Sequence, residues 1–243
     1  MISGVLLSGC GGGGALTTLP NPKYRYFNLS VDATINASLN DSDVATNVPY
    51  LGGTPAFNSV EFRNDADGGY DATTYVPSTE IEVRNEQVWQ RDQEYIWISY
   101  GLANFGTENI KRLEQTFFTV DRDAPVGNRA RLIIFNALVE KDGVDPYAID
   151  FRSFDPSNPA GGENPQFNRA NLSFGDFSTS THVLDIDSGT LTFQARQNGA
   201  DAAVVYAQKT FVFDPGGVYL AVVSGKVGSP TVALQPQITF FKL

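Results

Sequence analysis

From Lys23 onward the apolar residues of this chain follow a period of two, and that limits what the chain can fold into. Tyr95-Ile96-Trp97-Ile98-Ser99-Tyr100, Ala130-Arg131-Leu132-Ile133-Ile134-Phe135, Thr190-Leu191-Thr192-Phe193-Gln194 and Val218-Tyr219-Leu220-Ala221-Val222-Val223 read as strands. No window makes a convincing amphipathic helix; Glu108 to Glu114 comes nearest and is short. Turn formers recur about every 8–12 residues, at Asp67-Gly68-Gly69, Asp142-Gly143, Asp187-Ser188-Gly189, Asn198-Gly199 and Asp214-Pro215-Gly216-Gly217. Strands turn alternate side chains to opposite faces, so segments like these close a core by packing sheet on sheet. The pattern predicts an all-β chain of antiparallel β-sandwich type, without βαβ units.

The chain also resembles itself. Phe27-Asn28 recurs as Phe135-Asn136, 108 residues on. Gly52 matches Gly175, Tyr95 matches Tyr219, Gly101 matches Gly225, and Thr116-Phe117-Phe118 matches Thr239-Phe240-Phe241, at offsets of 123 or 124. The jump in offset requires an insertion in the second copy, and the Pro/Gly/Asn-rich stretch Asp155 to Pro165 is placed to be one, as a long surface loop. The ordered matches predict a tandem duplication: a tether over 1–22, one module over 23–122 and a second over 128–243. Val120 to Gly127 reads as the linker between the modules.

The second copy resembles a known family. It opens with Arg129-Ala130-Arg131-Leu132-Ile133-Ile134-Phe135-Asn136-Ala137 and continues with Ala148-Ile149-Asp150-Phe151. Leu172-Ser173-Phe174-Gly175-Asp176-Phe177-Ser178 follows, then Val183 to Gly189, and Gly217 to Gly225 closes the set. These segments are similar to the bacterial domain-of-unknown-function family numbered 4397, clearly over Arg129 to Leu243 and weakly over Tyr24 to Val120. Asn136-Ala137 stands where that family often has His-Ala. The resemblance implies immunoglobulin-like sandwiches outside the cytoplasm and brings no catalytic residues with it.

Leu7-Ser8-Gly9-Cys10 resembles the lipobox of bacterial lipoproteins, in which the Cys receives a diacylglycerol thioether and becomes the new amino terminus. Gly11 to Gly14 have no side chains to pack and suit a flexible tether, which continues through Ala15 to Pro22. A signal peptide carries a basic region and roughly 7–15 apolar residues. Here the basic region is absent and the apolar run is short, pointing to a start upstream of Met1 or a missing amino terminus. Gly11 after the Cys implies, by resemblance, outer-membrane sorting in a Gram-negative cell. The expected membrane contact is therefore a lipid on Cys10.

The chain is poor in reactive groups. It holds one Cys and one His, which excludes a disulfide framework and a Cys/His zinc site. Seventeen basic against 27 acidic residues, net charge -10, argue against nucleic acid or an anionic membrane surface as a general partner. His182, the only candidate imidazole base, lies in the strand-like stretch Ser180 to Asp185, and no Gly-x-Ser-x-Gly elbow occurs. Glycoside hydrolysis by paired carboxylates needs no His, but no pair among the acids stands out. Gly11 to Gly14 lack the Lys and preceding strand of a phosphate loop, which excludes a nucleotide site.

Two weaker candidates for binding are legible. Calcium could find oxygen ligands at Asp65, Asp67 and Asp71 in the Asn64 to Asp71 loop, at Asp121 and Asp123 in the linker, or at Asn40 to Asp43. The first lacks an EF-hand's closing Glu, since Val76 stands there. Trp89, Tyr95, Trp97 and Tyr100 cluster in the first module, with Tyr95 and Trp97 on one strand face. Exposed, they would form a platform for a sugar or an envelope protein; buried, they are core. The sequence thus predicts a lipid-anchored, non-catalytic envelope protein, with glycan binding or processing as the alternative.

Overall fold

The computed structural model describes residues 19–63, 69–103, 113–139, 148–154, 163–199 and 204–243. The first half supplies β1 (Lys23–Ser30), β2 (Ile35–Leu39), β3 (Ser42–Val48), β4 (Gly52–Gly53), β5 (Asn58–Ser59), β6 (Tyr70–Tyr75), β7 (Glu82–Gln87), β8 (Glu94–Gly101) and β9 (Glu114–Thr119). The second supplies β10 (Arg129–Val139), β11 (Ile149–Phe154), β12 (Glu163–Leu172), β13 (Val183–Asp187), β14 (Gly189–Gln197), β15 (Val205–Phe213), β16 (Val218–Lys226) and β17 (Gln237–Lys242). Among the described residues, helix is confined to one turn, α1 (Thr179–His182), and a 3-10 turn at Val232–Leu234. The chain is an all-β sandwich fold, as the alternation requires.

Each half makes an inner and an outer sheet, and the strand order repeats. The inner order β4-β1-β8-β9, with β5 also on β1, recurs as β13-β10-β16-β17. The outer order β3-β2-β6-β7 recurs as β12-β11-β14-β15. Among the described residues the strand pairs are antiparallel with two exceptions: β1 runs parallel to β8, and β10 runs parallel to β16. Both exceptions lie at the centre of an inner sheet. Register repeats as well, since Phe27 faces Ile98 as Phe135 faces Val222, and Ile98 faces Thr116 as Val222 faces Thr239.

The matched residues do the same work in both halves. Asn28 Nδ2 donates to the Val48 and Ala33 carbonyls while its Oδ1 accepts from the Ser30 N–H. Asn136 Nδ2 donates to the Leu172 carbonyl while its Oδ1 accepts from Leu138 N–H. Both amides are buried, where an unmet polar group is costly. The Tyr95 and Tyr219 phenol oxygens each accept a backbone N–H five residues upstream, from Gln90 and Asp214. The glycine match is displaced by one residue. The N–H groups of Leu51 and Gly175 donate to the Asn28 and Asn136 carbonyls, and both residues have positive φ, 60° and 68°. Gly175 is needed twice over, because a Cβ there would run into the Tyr100 ring.

The four sheets stack outer, inner, inner, outer. Tyr26, Ile35, Tyr70, Trp89 and Trp97 fill the first sandwich, and Leu132, Phe151, Phe193 and Tyr219 fill the second. Between the two inner sheets lies a third core, where Phe27, Ile98 and Phe118 meet Phe135, Leu220 and Val222. The inner strands are thus covered on both faces, which accounts for the unbroken apolar runs Leu132 to Phe135 and Val218 to Val223.

The strands β1, β8, β10 and β16 all point the same way. Early in β1, Arg25 Nη1 donates to the Lys242 carbonyl at 2.7 Å, and Lys242 pairs with Tyr219 at the start of β16. At the far ends of these strands, Val31, Leu102 and Val139 cluster together. β9 and β17 run back antiparallel to β8 and β16. Residues 19–22, the linker at 120–128 and Leu243 therefore share one pole, the entry pole. The turns at 31–34, 76–81 and 227–236 share the opposite one.

Candidate functional site

The aromatic candidates lie inside the molecule. β8 turns Tyr95 and Trp97 toward the outer sheet and Ile96, Ile98 and Tyr100 toward the second half. Trp89, just before β8, stacks on Tyr95 with centroids 5.2 Å apart and packs on Tyr70 at 4.8 Å. Trp97 has no exposed surface; its ring meets Tyr26 edge-on at 5.2 Å and its Nε1 donates to Gln115 Oε1 at 2.9 Å. Tyr100 meets Phe135 edge-on at 5.4 Å and donates its phenol proton to Glu114. Burial, reinforced by Glu114, holds that phenol far above its ordinary pKa. Of the two readings open to Trp89, Tyr95, Trp97 and Tyr100, the platform is thus corrected to core. β8 is a central strand of an inner sheet, so no face of it is free to stack on a sugar.

Two open clefts among the described residues lie at the entry pole, around the linker. One of about 700 Å³ is lined by Pro20, Asn21, Lys23, Glu94, Asp121 and Arg122 among others. A second, of about 450 Å³, has Val120, Arg131, Ile133, Leu184 and Asp185 in its wall. Glu94 accepts from Lys23 Nζ at 3.2 Å and, with its two oxygens, from Nε and Nη2 of Arg122, which holds the carboxyl below its usual range. Arg131 joins the linker to β13, donating to Asp121 Oδ2 at 2.5 Å and to Asp185 Oδ1 at 3.0 Å. Arg122 also lies over the Phe57 ring, 4.2 Å from its centroid. Partly exposed pairs of this kind contribute about 0–1 kcal/mol each, so their effect is to fix the linker's path. Arg91 ties down the entering segment by donating to the Leu19 carbonyl and Asn21 Oδ1.

None of these bridges is legible in the sequence, since each joins residues 28 to 72 positions apart or turns on a linker conformation. The nearest signal is the alternation Asp121-Arg122-Asp123 inside the linker. Two of the acids weighed as calcium ligands have other partners. Asp121 gives one oxygen to Arg131 and the other to Asp123 N–H, and Asp71 pairs with Arg84. Asp123 is exposed. Among the described residues no three His, Cys, Asp or Glu side chains gather as a metal site. Cys10, Asp65 and Asp67 lie outside the described residues.

His182 belongs to α1, not to the strand that the sequence suggests. Ser178 accepts its backbone N–H at 2.7 Å and closes the turn, and β13 starts one residue later. The imidazole is 2% exposed, with Nδ1 2.8 Å from the Ile134 carbonyl, which makes Nδ1 the protonated nitrogen, and its ring is 5.4 Å from Phe177. It is a satisfied core residue. Burial lowers its pKa below the free value, outweighing the Ile134 carbonyl and Asp176. The folded state therefore resists protonation that the unfolded chain accepts. The stability this supplies is complete above about pH 6.5 and drains away as pH falls toward the lower folded pKa. Denaturant titrations between pH 7 and 5 are expected to show that fall, at no more than about 1.4 kcal/mol per pH unit. A flat profile would mean that the imidazole titrates alike in both states.

No protein-family model and no curated protein matches this chain. Among solved structures it is similar to one described as a "putative cell adhesion protein" from Bacteroides uniformis. The two are 12% identical over 91% of this chain and 97% of that one, with a TM-score of 0.23. A similarity of that degree carries no inference about fold or function.

Proposed function

We propose that this chain is a non-catalytic, lipid-anchored protein of a bacterial cell envelope, built from two modules of the domain-of-unknown-function 4397 type and acting in adhesion, binding or spacing. The observation that supports this best is the polarity of the stack. Residues 19–22 enter at one pole, held there by Arg91 and by Asp92 N–H on the Pro20 carbonyl. Cys10 precedes Leu19 by nine residues, a reach of at most about 30 Å. A diacylglyceryl Cys10 would stand the stack on its entry pole and turn the opposite pole away from the bilayer. Two acyl chains suffice for stable anchoring, and the net charge of -10 leaves little attraction to an anionic surface without them.

The side chains that elsewhere make catalytic or sugar sites have structural partners here. The large aromatics form cores, Glu94 and Asp121 hold the linker, and His182 is tied to a backbone carbonyl. Such a body suits contact with another envelope protein or a glycan at the pole facing outward. The anchor is tested by feeding cells a radioactive fatty acid. Label is expected on the wild-type protein and in the membrane fraction, and absent from Cys10→Ala, which should become soluble. Equal labelling of the two proteins would overturn the reading.

A further inference from the structure

We propose that the two parallel strand pairs of the inner sheets, β1/β8 and β10/β16, form a tension-bearing clamp that resists load between the entry pole and the opposite pole. This rests on the tethered reading above, which supplies the direction of load. Parallel pairing is the less obvious solution for this chain. It requires long crossovers through the outer sheets, where antiparallel neighbours could be joined by short hairpins. What it achieves here is to put β1, the strand continuous with the entering segment, inside a sheet. β1 has β8 along one side and β4 and β5 along the other.

Tension on residues 19–22 acts along β1. Its ladder with β8 runs unbroken from Lys23–Glu94 to Ser30–Gly101, with hydrogen bonds lying across the direction of pull. Such a ladder yields only by sliding, and all its bonds must fail together. Sliding by one residue would also exchange the faces of Tyr26, Phe27 and Leu29, each buried between layers. The load then crosses to the second half through Arg25 on Lys242, Phe27 against Phe241 at 4.9 Å, and Phe118 against Phe135 at 6.3 Å. There β16 is held against β10 in the same way, from Arg131–Val218 to Val139–Lys226. β17 differs: it is an edge strand ending at the entry pole, so a pull on Leu243 away from the entry segment opens its ladder one bond at a time.

The lone native thiol makes this testable on the full, unlipidated chain. One protein carries Val232→Cys, at a position 79% exposed on the opposite pole, and a second carries a Cys appended after Leu243. Handles on Cys10 and the added thiol let optical tweezers pull along the strands in the first and across them in the second. The axial pull is expected to need about two-fold more force, or greater, at equal loading rate. Equal forces, or a weaker axial direction, would overturn the clamp. Because neither protein is acylated, this outcome is independent of the labelling result. A failed label with a strong axial direction removes the anchor alone, and the converse removes the clamp alone.

Discussion

Trp97→Ala is expected to cost about 3–5 kcal/mol of folding stability, the range for emptying a fully buried large aromatic site. The indole lies between Tyr24, Tyr26 and Phe117, with ring centroids 5.2–6.1 Å away. Tyr24 and Tyr26 stand on β1, a central strand from which neither can swing in to fill the void; of the three, only Phe117 stands on an edge strand, β9. A second cost adds to the cavity. Gln115 uses its oxygen on Trp97 Nε1 and its nitrogen on the Ala72 and Val83 carbonyls and on Asn85. Without the indole that oxygen is a buried acceptor with no donor, a further loss of about 1–3 kcal/mol. Domains of this kind hold about 5–15 kcal/mol in all, so the variant should be near unfolding at 37 °C. Trp97→Phe keeps most of the volume and should lose less. Urea titration followed by circular dichroism measures both. A loss below about 1 kcal/mol for Trp97→Ala would mean that the ring faces solvent, and would reopen the aromatic platform.

The difference between core and platform shows where the sequence was informative. Alternation and turn spacing are local properties, and they carry the all-β class directly. Whether a strand is covered on one face or two is also written locally, but in another form. Leu132 to Phe135 and Val218 to Val223 are unbroken apolar runs, as expected of strands buried on both sides. β8 reads Tyr-Ile-Trp-Ile, the same signal with aromatics in alternate places. The sequence left Tyr95 and Trp97 open between core and platform, and the isoleucines between them are what mark β8 as covered on both faces.

Other features had no local trace. Parallel and antiparallel strands alternate identically, so the β1/β8 and β10/β16 pairs could not be read from pattern. Arg131 meets Asp185 across 54 positions, and nothing near either residue announces the other. The turn at α1 was masked by Val183-Leu184-Asp185-Ile186, whose strand pattern invites extension back through His182. The Ser178 to Thr181 run of hydroxyl residues was the opposing signal, since such side chains compete for the backbone and favour turns. The likeness of the two halves was legible through their polar residues. Asn28 and Asn136, or Tyr95 and Tyr219, satisfy equivalent backbone groups, and few other residue types could replace them there.

Phe135→Ala carries the second large expected effect, and it concerns how the halves are joined. Its ring is fully buried between the inner sheets, touching Tyr100 at 5.4 Å and Phe118 at 6.3 Å, while the strand that carries it belongs to the second half. Were the linker a hinge between independent modules, this truncation would weaken the second half alone, and heating would resolve two transitions. The middle core argues otherwise. Phe27, Ile98 and Phe118 are covered on one side only by Leu220, Val222 and Phe135, so unfolding either half strips apolar surface from the other. At roughly 25 cal/mol per Å² of apolar surface, a sheet-sized face carries more free energy than the partly exposed ion pairs of the linker. The variant is therefore expected to lose about 3–5 kcal/mol and still melt in one transition, with calorimetric and van't Hoff enthalpies in agreement. Arg131→Gln, which cuts both pairs of the bridge from Asp121 to Asp185, should lose at most about 2 kcal/mol and leave that single transition intact. Two resolved transitions in the wild type, with only the second shifted by Phe135→Ala, would show that the inner sheets touch without sharing a core.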